Sequence, residues 1–460
     1  MDRAAYLAAL AAGLDALAAW EARWPAVAPD PTTIVPPERV ATVLGELTTR
    51  LRDNYPFFHP CYAAQMMNPP HPVAQLAYAL AMRINPNNHA LDGGPATAAL
   101  ERETVAALAG MIGYPRHLGH LTSSGTIANL EALWVAREER PGCAIAYSAH
   151  AHYTHARACA LLGVRGVPVA CDAAGRLDLA ALARHLAVDD VGTVVATVGT
   201  TGLGAVDPVH EIVPLAAAHG ARVHADAAYG GFFALLAREE PSPVAAAPFR
   251  ALAACDSVVV DPHKRGLQPF GCGAVLFRDP AVGRVYQHDS PYTYFTSAEL
   301  HLGEISLECS RAGAAAAAFW ATLQCLPLAP DAGLGPILAR TRAAALAWAA
   351  RLKASRHLRL VVEPELDILA YFPAARPLTA SAIAAASDAL FAALMADPVE
   401  PVYLAKMTVE QGFLAARHPA IIWDQPTTTV LRSVLMKPEH LVAVDALHAR
   451  VERAAAAIVG

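Results

Sequence analysis

Apolar residues at Leu7, Leu10, Leu14, Leu17, Trp20 and Trp24 recur at steps of three and four, which predicts an amphipathic helix at the start of the chain. A Pro-rich linker follows (Pro29, Pro31, Pro36, Pro37), then a second helix, so residues 1–55 read as an N-terminal helical segment. Residues 56–96 hold no sustained period and are rich in Pro and Asn. They read as irregular, and irregular stretches of that length are usually functional or interfacial. From about residue 100, helical periods alternate with short apolar runs. Strands are predicted at Ala144–Ser148, Gly166–Ala170, Thr193–Val198, Arg222–Asp226, Ser257–Val260 and Gly273–Phe277. This βαβ rhythm predicts an α/β fold with a mostly parallel sheet covered by helices on both faces.

The rhythm changes after a long helix at about Ile337–Lys353. Strand-like runs Leu358–Val362 and Leu366–Phe372 flank Pro364. A helix near Ala380–Met395, strands near Val402–Val409 and Val430–Met436, and a last helix from about Pro438 complete a separate α+β unit. The boundary is placed near 330, in the Pro/Gly-rich stretch 327–336. This gives a large domain over 56–330 and a small one over 331–460.

Composition narrows the functional classes. The 460 residues exceed one ordinary core, in keeping with two domains. The hydrophobic share of 55% lies above the usual ~45–50%, much of it alanine. Basic and acidic residues number 35 and 41 with no basic run, which argues against a nucleic-acid partner. Asp15, Glu21 and Arg23 interrupt any signal-like apolar core. The longest uncharged run, between Arg311 and Asp331, contains Thr322, Gln324 and Pro327 and reads as a buried helix rather than a membrane span. None of the eight cysteines forms a C-x-x-C pair, so small buried thiols in a reducing cytoplasm are expected, and no metal site.

Four stretches carry candidate chemistry. Asp261-Pro262-His263-Lys264 follows the apolar strand 257–260, and lysines rarely bury unless paired or covalently used. Asp226 ends a strand within His224-Ala225-Asp226-Ala227-Ala228-Tyr229-Gly230-Gly231. A carboxylate there either caps a turn or pairs with a protonated pyridine nitrogen, with a small residue such as Ala228 letting a flat ring lie close. Thr122-Ser123-Ser124-Gly125-Thr126 precedes an amphipathic helix, which suits both an N-cap and an anion site. His150, His152 and His155 invite a metal reading, but no carboxylate or cysteine cluster lies near in sequence, and a ring partner for a flat cofactor fits better.

These motifs resemble those of the group II pyridoxal-phosphate decarboxylases, the family of aromatic-amino-acid, glutamate and tyrosine decarboxylases. The similarity runs from about His59 to Leu326 and is carried by HADAAYGG at 224–231, DPHK at 261–264, TSSGTIANLEAL at 122–133 and SAHAHYTH at 148–155. The stretch DPHKRGLQPFGCG looks most like bacterial tyrosine-decarboxylase-like members. The resemblance implies fold type I of the pyridoxal-phosphate enzymes, bound pyridoxal 5′-phosphate and loss of CO2 from an amino acid. It implies Lys264 as the lysine that holds the cofactor covalently, Asp226 on the ring nitrogen, and His152 and Ala228 on the two ring faces. Ser124, Gly125 and Thr126, with His263, would hold the phosphate, and Thr201 would sit near the ring. A loop tyrosine would donate a proton, here Tyr294 in preference to Tyr292. The segment from His59 through Gln65 to His89 would line the substrate pocket and reach the neighbour's site in a homodimer.

Two residues depart from the family pattern. His89 stands where aromatic-acid decarboxylases often place an aromatic side chain, which leaves the substrate open. Arg265 follows the lysine and reads as a surface residue or a pocket charge. Two other readings compete. One is an aldehyde-forming or carbon–carbon lyase on the same scaffold, since Glu308-Cys309-Ser310-Arg311-Ala312-Gly313 slightly resembles the sphingosine-phosphate-lyase group. The other is a non-catalytic homologue, which is expected to lack Lys264 or Asp226.

Overall fold

A computed structural model of the chain describes residues 1–287 and 306–460. Helix α1 (Arg3–Glu21) and helix α2 (Pro37–Leu51) form as the periodicity predicts, yet neither has a buried residue. Trp20, Trp24, Val43, Leu44 and Leu47 all stay exposed. The apolar faces are therefore real but only partly covered in the single chain. Among the described helices, Arg3–Glu21 alone is long and apolar enough to cross a membrane by length and composition. It rests on helix α3 (Pro72–Ile84), where Glu21 pairs with Arg83 at 2.8 Å.

Helix α3 corrects the reading of 56–96 as irregular throughout. Pro72 sits in its first turn, where a missing N–H costs nothing, and the His71 ring caps Val73 N–H. Asn85 ends it in the left-handed region at φ 55°. The Pro and Asn content marked the two ends of a helix rather than its absence.

The main sheet has seven strands in the order β1-β7-β6-β5-β4-β2-β3. After α4 (Pro95–Ile112) come β1 (Leu118–Thr122), α5 (Gly125–Glu139), β2 (Ala144–Ser148), α6 (Thr154–Leu162), β3 (Gly166–Val169), α7 (Leu179–Val188) and β4 (Val191–Thr197). Then follow α8 (Val209–Ala218), β5 (Arg222–Asp226), β6 (Ser257–Val260) and β7 (Gly273–Phe277). Strand β1 was not expected from the sequence: its glycine and histidine weaken the apolar run, but all five of its residues are buried. The inner strands pair in parallel and are buried throughout or nearly so, which is why they read as continuous Val-rich runs. Strand β7 runs antiparallel to both β6 and β1. Strands β1 and β6 therefore point the same way, and the carboxyl ends of β1, β2, β4, β5 and β6 share one edge of the sheet.

Helix α9 (Gly313–Cys325) packs on α3 and α4 and accounts for the long uncharged run. Helix α10 (Leu334–Ala354) links two cores. Leu334 and Leu338 belong to the main core, whereas Trp348 and Leu352 belong to that of the smaller domain. The smaller domain carries an antiparallel sheet in the order β10-β11-β9-β8, from β8 (Leu358–Leu360), β9 (Ile368–Pro373), β10 (Ala405–Glu410) and β11 (Thr427–Val434). Helices α11 (Ala380–Ala396) and α12 (His440–Val459) complete it.

Arg265 is neither a surface residue nor a lining residue of the site cavity described below. It is buried, paired with Asp367 and the Tyr229 hydroxyl, and donates to the Met436 carbonyl at 3.3 Å. Asp367 also accepts from Tyr229 at 2.7 Å. The guanidinium lies over the Tyr229 ring at 4.6 Å. One buried ion pair thus clamps the main sheet to the smaller domain. Removing one partner strands a charge, whereas removing both need not destabilise. Asp367→Ala is expected to lose about 3–5 kcal/mol of stability, read from urea midpoints, and the double variant Arg265→Met/Asp367→Leu to recover most of it. Equal losses in the two would contradict the clamp.

Candidate active site

The shared edge of the sheet opens into a cavity of about 230 Å³. Ser124, Gly125, Thr126, His152, Thr201, Asp226, Ala228, His263 and Lys264 line it, joined by Met66, Asn129, Tyr153 and Asp261 among others. Most come from the ends of strands or from what directly follows them: β1 leads to Ser124 and the start of α5, β2 to His152, β4 to Thr201, β5 to Asp226 and Ala228, and β6 to Asp261–Lys264. Crevices at the carboxyl ends of parallel strands are where open α/β sheets bind ligands.

Lys264 sits in a single helical turn, Pro262–Arg265, and its Nζ lies 2.7 Å from Asp261 Oδ2. The chain has four lysines. Lys353 and Lys406 are exposed and paired with Glu363 and Asp388. Lys437 is buried against the Tyr62 carbonyl at 2.8 Å, and burial lowers its pKa to about 8. Of the four, Lys264 lines the cavity. Asp261 was missed in the sequence, although its place three residues before Lys264, on the same turn, is a legible signal. It also dictates a glycine: a Cβ on Gly125 would meet Asp261 Oδ2 at 2.4 Å.

Asp226 is buried at the end of β5. Its Oδ2 lies 2.8 Å from His155 Nε2, and its Oδ1 accepts the Ala228 N–H at 3.2 Å. Burial alone would raise this carboxyl, but the His155 hydrogen bond and the nearby Lys264 charge outweigh it and hold it well below the usual range. The three histidines of 150–155 have different fates. His150 packs edge-on against Phe413, His152 lines the cavity, and His155 is wholly buried behind Asp226. The His152 Nδ1 lies 2.8 Å from Thr154 Oγ1, and burial lowers its pKa. Burial also lowers His263, whose Nδ1 has no hydrogen-bond partner among the described residues.

At the start of α5, Ser124 accepts from Ile127 N–H at 3.3 Å, so it is an N-cap at the mouth of the cavity. The first N–H groups of a helix have no intrahelical acceptor and favour an anion. Gln65 and His89 lie outside the lining of this cavity. Gln65 is exposed, and its neighbour Met66 faces in. Beside His89, Asn88 makes the contacts, donating to Glu101 at 2.6 Å and accepting from Thr97 at 2.6 Å. Glu101 also holds Arg311 and the Leu121 N–H. Tyr292 and Tyr294 lie outside the described residues.

The donor set fits pyridoxal phosphate. A helix start with hydroxyls suits its phosphate, a buried carboxylate with an oxygen facing the cavity suits its ring nitrogen, and a lysine lies at the same cavity.

Residues 30–370 match the model of the pyridoxal-dependent decarboxylase conserved domain. A probable L-tyrosine/L-aspartate decarboxylase of Methanothermobacter thermautotrophicus is 31% identical over 65% of this chain and 80% of its own. An L-aspartate decarboxylase of Thermococcus kodakarensis is 29% identical over 73% of this chain and 86% of its own. The solved structure of Oryza sativa TDC with PLP and tryptamine superposes with a TM-score of 0.77 at 19% identity, covering 100% of this chain and 99% of that one. At that identity the likeness shows the fold, which is fold type I of the pyridoxal-phosphate enzymes.

Proposed function

The chain belongs to the pyridoxal-dependent decarboxylase family, carboxy-lyases that act on amino acids with pyridoxal 5′-phosphate, and we propose that its substrate is an aromatic, tyrosine-like L-amino acid. The cavity wall carries this reading. Among the described residues lining it, Met66, Tyr153 and Tyr229 offer apolar or aromatic surface to an aromatic side chain. The relatives named for aspartate favour the acidic alternative, and the same assay decides between them.

Bound in the cavity, pyridoxal phosphate supplies an electron sink for the bond pair left behind when CO2 departs. Lys264 would hold it through Nζ in place of its ion pair with Asp261. Asp226 would keep a proton on the ring nitrogen. His152 and Ala228 would flank the ring, with Thr201 near it. Ser124, Gly125, Thr126 and His263 would hold the phosphate. The α-carbon needs a proton after CO2 leaves, and a tyrosine phenol can deliver it. The donor would be Tyr294, in preference to Tyr292.

The working unit is a homodimer, in which the 59–95 segment completes the neighbour's cavity. Two observations support it: the largely exposed apolar faces of α1 and α2, and the place of Gln65 and His89 apart from their own chain's cavity. All eight cysteines are free, which suits a reducing cytoplasm.

Release of labelled CO2 from a panel of amino acids tests the substrate. Tyrosine or another aromatic acid is expected to lead, with amine as product. Aspartate in first place would overturn the aromatic reading, and aldehyde in place of amine would favour the aldehyde-forming alternative. Tyr294→Phe is expected to lower amine yield in the same assay more than Tyr292→Phe does. For the dimer, an inactive Lys264→Ala subunit mixed with a His89→Ala subunit is expected to regain activity, because one hybrid site is intact. Exchange without any recovery would contradict a shared site.

A further inference from the structure

Two buried histidines flank Asp226, and their hydrogen bonding differs. On β5, His224 is satisfied at both ring nitrogens, with Ser257 Oγ at 2.9 Å and Asn129 Oδ1 at 2.8 Å. His155, in the first turn of α6, has Nε2 committed to Asp226 Oδ2 at 2.8 Å, while its Nδ1 has no partner among the described residues. Burying an imidazole with one nitrogen unpaired is costly. A residue serving only to fill this space, near Tyr147 on β2 and His224 on β5, needs no nitrogen at all. The bond to Asp226 is what distinguishes His155 from a hydrophobe.

We propose that His155 is a positioning residue for the cofactor: its Nε2–H donates to Asp226 Oδ2, fixes the plane of the carboxylate, and leaves Oδ1 for the pyridine nitrogen. The inference rests on the reading of Asp226 given above. The proton sits on Nε2 because that tautomer pairs a donor with the carboxylate and leaves no buried N–H without an acceptor at Nδ1. Lys264 and His152 are the other titratable groups acting on Asp226 or its neighbours from the cavity side. Neither is hydrogen-bonded to Asp226, so His155 is the side chain that orients it.

The test compares His155→Leu with His155→Gln, whose amide nitrogen reaches the same point as Nε2. Apoprotein of each is titrated with pyridoxal phosphate, and the holoprotein is then examined with cofactor carrying 15N in the pyridine ring. His155→Leu is expected to bind the cofactor roughly tenfold or more weakly, the scale of one hydrogen bond to a charged group. Its ring-nitrogen resonance should move toward the unprotonated position. His155→Gln should keep both properties near those of the parent. Should the leucine variant fail to fold, His155→Phe, which fills the volume without a donor, takes its place. Unchanged affinity and resonance in the variants lacking a donor, or a glutamine variant that behaves like them, would overturn the proposal. A parent protein that takes up no cofactor would overturn the reading of Asp226 beneath it as well.

Discussion

An ionised carboxylate at the end of a buried parallel strand is expensive unless other groups offset its lost hydration. Asp226 is in that position, and much of the site can be understood as its compensation. His155 approaches one oxygen from behind, the Ala228 N–H reaches the other, and the Lys264 ammonium adds favourable charge from the cavity side. The requirement constrains the sequence on both sides of β5. The turn after β5 must bring the Ala228 N–H back onto the carboxylate, and α6 must begin close enough to bring in an imidazole. A second carboxylate, Asp261, is likewise buried, and Lys264 balances it. The cavity is thus organised by two buried acids whose charge is answered by neighbouring donors.

Sheet topology explains why these groups meet. Six of the seven strands point their carboxyl ends at one edge, and short turns after five of them converge on the cavity without long loops. That edge would mean little if the smaller domain were free to move. Arg265, next to Lys264, is paired with Asp367 of the smaller domain. The residue beside Lys264 therefore anchors the second domain, so one helical turn both lines the cavity and joins the domains.

Much of this was legible in the sequence, because parallel strands buried on both faces are apolar runs and the turns after them carry short, distinctive motifs. Ser124, Gly125, Thr126, His152, Thr201, Asp226, Ala228, His263 and Lys264 line a single cavity. What escaped has physical reasons. His155 and Asp226 lie 71 positions apart and Arg265 and Asp367 lie 102 apart, with no periodicity linking either pair. Helix α3 was hidden by the prolines and asparagines that bound it. Strand β1 was hidden because Gly119 and His120 break its apolar run although both are buried. Asp261 stands in the same motif as Lys264, and its spacing of three residues is the signal for their ion pair. Gln65 and His89 lie apart from their own chain's cavity, and the loop tyrosines fall outside the described residues.

The central claim is that Lys264 carries the cofactor. Its most direct test is borohydride reduction of the purified protein followed by peptide mapping. With only Lys264, Lys353, Lys406 and Lys437 in the chain, the result is unambiguous. The pyridoxyl group is expected on the peptide containing Lys264. A label on Lys437, the other lysine held in the interior, or on either surface lysine, would contradict it.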